Sequence, residues 1–109
     1  MQLNEYQDEA SKTALYPGRG SNLTYTVLGL CGESGEIAEK MKKLGRDRGG
    51  VMDDAWKVEM TKELGDVLWY ISQAAFELGV DLETVAAANV EKLRSRQQRQ
   101  TLHGDGDNR

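Results

Sequence analysis

Two pairs of carboxylates combine the residue types and the spacing that chemistry on a helix would need: Glu33 with Glu36, and Glu63 with Asp66. Acids three positions apart on a helix lie on neighbouring turns, close enough to share one cation. Spacing alone says little, because Glu5 with Asp8 and Glu36 with Glu39 repeat it in the same chain. Placement says more. Projected at about 100° per residue, Glu33 falls about 70° from the centre of its helix's apolar stripe, and Glu63 about 55° from the centre of its own. Both therefore border a buried face. Glu36 and Asp66 lie farther round on the same side, and Glu39 farther still, where it is free to pair with Lys43 in solvent.

Glycine crowds these acids: Gly29, Gly32 and Gly35 on one segment, and Gly65 between Glu63 and Asp66 on the other. Each helix-interior glycine costs about 1 kcal/mol relative to alanine. Either close helix packing or room for a ligand accounts for them, and the residues alone leave the two readings level. Four carboxylates at a half-buried surface repel one another, which a divalent cation would relieve. An all-oxygen donor set suits magnesium or manganese. A di-iron carboxylate bundle needs Glu-x-x-His motifs, and the one histidine, His103, lies near the C-terminus. Cys31 is the only cysteine, which excludes a thiolate cage or an internal disulfide; it reads as a small packed apolar residue.

The elements that must position these acids are four helices, with no convincing strand. The first runs from about Asn4 to Tyr16, with Asn4 and Gln7 spaced as a capping box and Pro17-Gly18 ending it. The second begins near Asn22 and carries Leu23, Val27, Leu30, Ser34, Ile37, Met41 and Leu44 in steps of four and three. Gly45 is its predicted C-cap, and Arg46 to Val51 a loop. The third begins near Asp53 or Asp54, repeats the pattern through Met60, Leu64, Val67, Ile71, Ala74 and Leu78, and closes at Gly79. Asp81 caps the fourth, whose apolar side is Leu82, Val85, Ala86, Val90 and Leu93. Residues 101–109 form an irregular tail. The expected architecture is an all-α, four-helix bundle-like single domain.

With 109 residues one such domain builds only a modest core, so burial of a surplus apolar face against a second subunit would be natural. No apolar run is long enough to span a bilayer, and Met1 to Glu5 lacks the regions of a signal peptide. A cytoplasmic location is the default expectation, with no membrane partner. The net charge of −4 argues against a nucleic-acid binder, which needs a basic surface. That charge is unevenly spread. Residues 1–91 hold nine basic and sixteen acidic side chains, residues 92–109 five and two. An acidic body with a basic end could hold a metal and a polyanion together; cations complementing a helix dipole are the plainer account.

The stretch LGLCGESGEIAEKMKK from Leu28 to Lys43 resembles the first signature of the MazG-like all-α nucleoside triphosphate pyrophosphohydrolases, and KELGDVLWYI from Lys62 to Ile71 resembles the second. The 26 residues between Glu36 and Glu63 fit the spacer of that pattern. NVEKLRSR from Asn89 to Arg96 is similar to the third block, and GDGDNR from Gly104 to Arg109 to a tail of many small members. Gln100 departs from the pattern, relatives often having glycine there. The resemblance implies a bundle that dimerises or tetramerises, with magnesium on Glu33, Glu36, Glu63 and Asp66. It also implies a nucleoside triphosphate substrate, attacked by water at the α-phosphorus with loss of pyrophosphate. Asn89, Lys92 and Arg96 become candidates for phosphate contacts, their spacing placing them along one helical side. The alternatives are a non-catalytic nucleotide-binding or protein-interaction module, or a hydrolase of a narrower substrate such as a phosphoribosyl-nucleotide or an alarmone. Trp56, Trp69, Tyr70 and Tyr25 could stack on a base, although aromatics at helical spacing more often build core or interface. His103 and Arg109 could close over bound nucleotide, although terminal tails are commonly loose.

Overall fold

The computed structural model describes all 109 residues, and all of its regular structure is helical. The helices are α1 (Leu3–Ser11), α2 (Leu23–Arg48), α3 (Asp54–Glu77) and α4 (Leu82–Gln98). The long α2 and α3 form an antiparallel hairpin, the principal interface of the domain. α1 bridges α3 and α4, and α4 meets α1 and α3 without reaching α2. The four-helix single domain expected from the periodicity is present, as an open bundle.

The first helix is shorter than expected. It ends at Ser11, where the Thr13 hydroxyl donates to the Ala10 carbonyl at 2.8 Å and holds a turn in place of further helix. Nor do Asn4 and Gln7 form a capping box, since the N-cap of α1 is Gln2, which makes no side-chain cap. Both side chains reach instead across the molecule to the start of α4. The Leu82 N–H donates to Gln7 Oε1 at 2.9 Å, and the Glu83 N–H to Asn4 Oδ1 at 2.9 Å. Asp81 takes the Thr84 N–H at 2.7 Å, so three first-turn donors of α4 find side-chain acceptors. Gln7 Nε2 also donates to the carbonyls of Ser72 (3.0 Å) and Val80 (3.3 Å), which ties α1 to the α3–α4 turn.

α2 runs a full turn past Gly45. Its stop is the pair Gly49 and Gly50, with φ of 60° and 77°, and the Gly50 N–H closes on the Leu44 carbonyl at 3.0 Å. Two left-handed residues in succession terminate a helix where one tolerated interior glycine does not. The predicted caps Asn22 and Asp53 receive the N–H groups of Tyr25 and Trp56.

The predicted apolar stripes are only half covered. Leu44 is buried and Leu30, Ile37, Val67 and Ile71 are half-buried, while Leu23, Val27, Met41, Leu64 and Leu78 are exposed. The largest fully buried side chains are Gln73, Thr26 and Ser72. They are hydrogen-bonded, as buried polar groups must be. Gln73 accepts from Arg19 Nη2 at 3.2 Å and donates to Ser11 Oγ at 3.2 Å. Glu77, at the end of α3, accepts from the Tyr16 hydroxyl (2.5 Å) and from the N–H groups of Gly20 (2.9 Å) and Asn22 (3.3 Å). It thereby fixes the chain between α1 and α2.

Candidate active site

The antiparallel hairpin brings the two acidic pairs face to face. Carboxylate oxygens of Glu33, Glu63 and Asp66 lie within 4.8 Å of one another. Glu33 and Glu63, predicted at the edge of their stripes, are half-buried; Glu36 and Asp66, predicted farther round, are exposed. Glu36 stands outside the close triad, yet its charge reaches it. The Glu33 carboxyl is pushed up by burial first, then by the charges of Asp66, Glu63 and Glu36. Three oxygens from two helices at this separation fit a hard divalent cation, which takes carboxylates and retains water on its open positions.

One cation lies in ion-pair range of these acids: Lys40 Nζ, 3.7 Å from Glu63 Oε1. Sequence reasoning missed it. Its position four residues after Glu36, on the same helical side, was the available signal. Glu39 pairs with Lys42 at 2.8 Å, one turn away, rather than with Lys43.

The glycines separate into two kinds. A Cβ on Gly29 would overlap the Tyr70 ring, so this glycine exists for close helix packing. Around Gly32, Gly35 and Gly65 there is open space, next to the acids. Beside them lies a cleft of about 320 Å³ lined by Thr13, Glu33, Asp66, Trp69 and Tyr70. Trp69 Nε1 donates to Thr13 Oγ1 at 2.9 Å, and its ring meets Tyr70 edge-on with centroids 5.0 Å apart. Tyr25 stacks on Tyr16 at 4.9 Å, behind this wall. The Tyr70 hydroxyl is raised by burial, then by Tyr25, Glu33 and Asp66. Tyr6 is raised by burial and by Asp66, which places α1 within electrostatic reach of the acids.

Trp56 is buried elsewhere, in a smaller cleft with Lys40, Lys43, Leu44, Asp47 and Arg48. Cys31 is exposed, contrary to the packed position expected of it. Asn89, Lys92 and Arg96 share α4, but no hydrogen bond or ion pair joins them to the acids within one chain. Asn89 is exposed, and Lys92 and Arg96 contact the tail.

The site is thus a carboxylate triad carried by the helical hairpin of an all-α domain. Residues 21–101 match the MazG nucleotide pyrophosphohydrolase domain, and the chain belongs to that family. It is also similar to the Gene 37 protein of Mycobacterium phage L5, with 46% identity over 114 residues spanning all of both chains. No solved structure matches it.

Proposed function

We propose that this protein hydrolyses nucleoside triphosphates to monophosphate and pyrophosphate, with magnesium or manganese held by Glu33, Glu36, Glu63 and Asp66. The observation that carries the reading is the oxygen triad of Glu33, Glu63 and Asp66, which falls within the residues that match a pyrophosphohydrolase domain. A divalent cation on these oxygens would neutralise the triphosphate and acidify the water that attacks the α-phosphorus. The four acids hold and orient that charge. Lys40, beside Glu63, supplies a cation of the kind that offsets charge on departing pyrophosphate. Trp69, Tyr70 and Thr13 offer an aromatic wall with a polar edge for the nucleoside. Asn89, Lys92 and Arg96 remain the proposed contacts to the outer phosphates.

A second copy of the chain completes the assembly in this reading, as a homodimer or homotetramer. The single chain exposes 7643 Å², against about 6,000 Å² for a folded monomer of its mass. Its radius of gyration is 16.8 Å, where about 13 Å suits this length. The uncovered stripe residues Val27, Met41 and Leu64 are the natural seam. Light scattering at the mass of a single chain would refute this part.

Purified protein incubated with magnesium and a panel of nucleoside triphosphates should release pyrophosphate and monophosphate, read by phosphorus NMR. Glu63→Gln should abolish the release. Absence of pyrophosphate from every nucleotide, or undiminished release by the variant, sinks the proposal. Magnesium-dependent nucleotide binding without turnover would instead mark a non-catalytic module. Comparison of kcat/KM across substrates would reveal a narrower preference for a phosphoribosyl-nucleotide or an alarmone.

A further inference from the structure

Lys92 and Arg96 are occupied by the chain's own C-terminus. α4 ends in a reversal at Gln100, the only non-glycine residue with positive φ, at 59°. The Thr101 N–H closes on the Arg96 carbonyl at 2.7 Å, and the tail then folds back along the helix. The Arg109 guanidinium knits it together, donating to the carbonyls of Thr101 (3.2 Å), Leu102 (2.9 Å) and Gly106 (2.5 Å). Arg99 donates to the Arg109 carbonyl at 2.6 Å.

This fold-back sets Asp107 Oδ1 3.2 Å from Lys92 Nζ and 3.3 Å from Arg96 Nη2. The same Nη2 donates to the Asp107 carbonyl at 2.6 Å. Arg96 is only 4% exposed, so no anion from solution can reach it while the tail lies there. The match is nevertheless incomplete. Arg96 Nε and Thr101 Oγ1 are buried with no hydrogen-bond partner, an arrangement that penalises the closed state. A phosphate, with several acceptor oxygens and greater charge, could engage Lys92 and the Arg96 guanidinium together, its unpartnered Nε included. Asp107 itself is largely exposed, at 82% of its side chain, and its pair with Lys92 is exposed on both sides, the kind of contact that is readily displaced.

We propose that Asp107 stands in for a phosphate, and that residues 101–109 form a strap which a polyphosphate ligand lifts from Lys92 and Arg96. The identity of the ligand rests on the proposed hydrolysis; the contact does not. The probe is inorganic tripolyphosphate, titrated by calorimetry into the full-length protein. Asp107→Asn should tighten its Kd roughly three- to fivefold by removing the internal competitor. Gln100→Gly relieves the left-handed strain at the reversal, holds the strap down, and should weaken Kd severalfold. An unchanged or weaker Kd for Asp107→Asn, or a tighter one for Gln100→Gly, overturns the strap. Tighter tripolyphosphate binding by Asp107→Asn in a protein that cleaves no nucleotide leaves the strap standing and the hydrolase reading lost. Nucleotide cleavage with Kd unmoved in both variants does the reverse.

Discussion

Two regions of this small domain treat polar groups in opposite ways. Where α1 and the α1–α2 connection meet α3 and the start of α4, the side chains of Gln7, Gln73 and Glu77 each meet several partners, and even fully buried amides are satisfied. At the middle of the α2–α3 hairpin, three carboxylates crowd together with a single lysine in ion-pair range and open space where glycine replaces a side chain. The first region has the economy of a structural joint. The second keeps repulsion that one lysine offsets only in part, an arrangement common where a ligand binds.

The contrast can be broken most sharply at Glu63. Glu63→Gln should lower kcat by at least about a hundredfold, since even partners behind a metal ligand are commonly worth ten- to a hundredfold. The same change should leave the melting temperature equal or higher in metal-free buffer, because it removes a like charge from the cluster. A fall in melting temperature would mean that the acids serve the fold.

The joint should respond the other way. Gln7→Ala leaves the Leu82 N–H and the carbonyls of Ser72 and Val80 without their partner. Loss of about 2–4 kcal/mol is expected in urea unfolding, with kcat per folded molecule unchanged. The glycines give a smaller, paired test. Gly29→Ala drives a methyl into the Tyr70 ring and should destabilise by about 1–3 kcal/mol. Gly65→Ala meets nothing and should stabilise by up to about 1 kcal/mol, so any activity it loses reports on ligand space. Equal effects at the two positions would dissolve the distinction between packing and room.

The smallest effect is a pH dependence at the joint. The Tyr16 hydroxyl, then the Gly20 and Asn22 N–H groups, hold the Glu77 carboxyl below its ordinary value, and Tyr16 is itself raised to about 12. A carboxyl depressed on folding contributes stability above its unfolded pKa and loses it as pH falls through the folded one. Thermal melts of wild type and Glu77→Gln should therefore differ near pH 7 and converge as pH drops below the ordinary carboxylate range. A gap that persists in acid would assign the effect to shape instead of charge.

Much of this was legible in the sequence. Four helices follow from periodicity, and Glu33 and Glu63 are half-buried, as a projection at about 100° per residue to the stripe edges implies. What was misread are cases where one local signal serves two geometries. Asn4 and Gln7 have the spacing of a capping box, but the spacing does not say whose N–H groups they satisfy. Gly45 looked like a helix stop because one glycine breaks a pattern, while Gly49 and Gly50 actually turn the chain. Lys40 beside Glu63, and Arg96 under Asp107, join residues on different segments. Periodicity can put Lys40 on the side of Glu36, but it does not say which charge on another segment a residue will meet.

The capping of α4 by Asn4 and Gln7 bears on how the molecule is assembled in time. The first turn of α4 is closed by residues about 75 positions earlier, so this helix gains its anchored start only when both ends of the chain meet. Contacts of such long sequence separation form slowly. The hairpin, whose contacts are nearer in sequence, can form first and wait. In that order of events the opening nine-residue helix, which bears none of the proposed chemistry, would dock last. A fusion or deletion there should be felt at the opposite terminus, in refolding kinetics before catalysis.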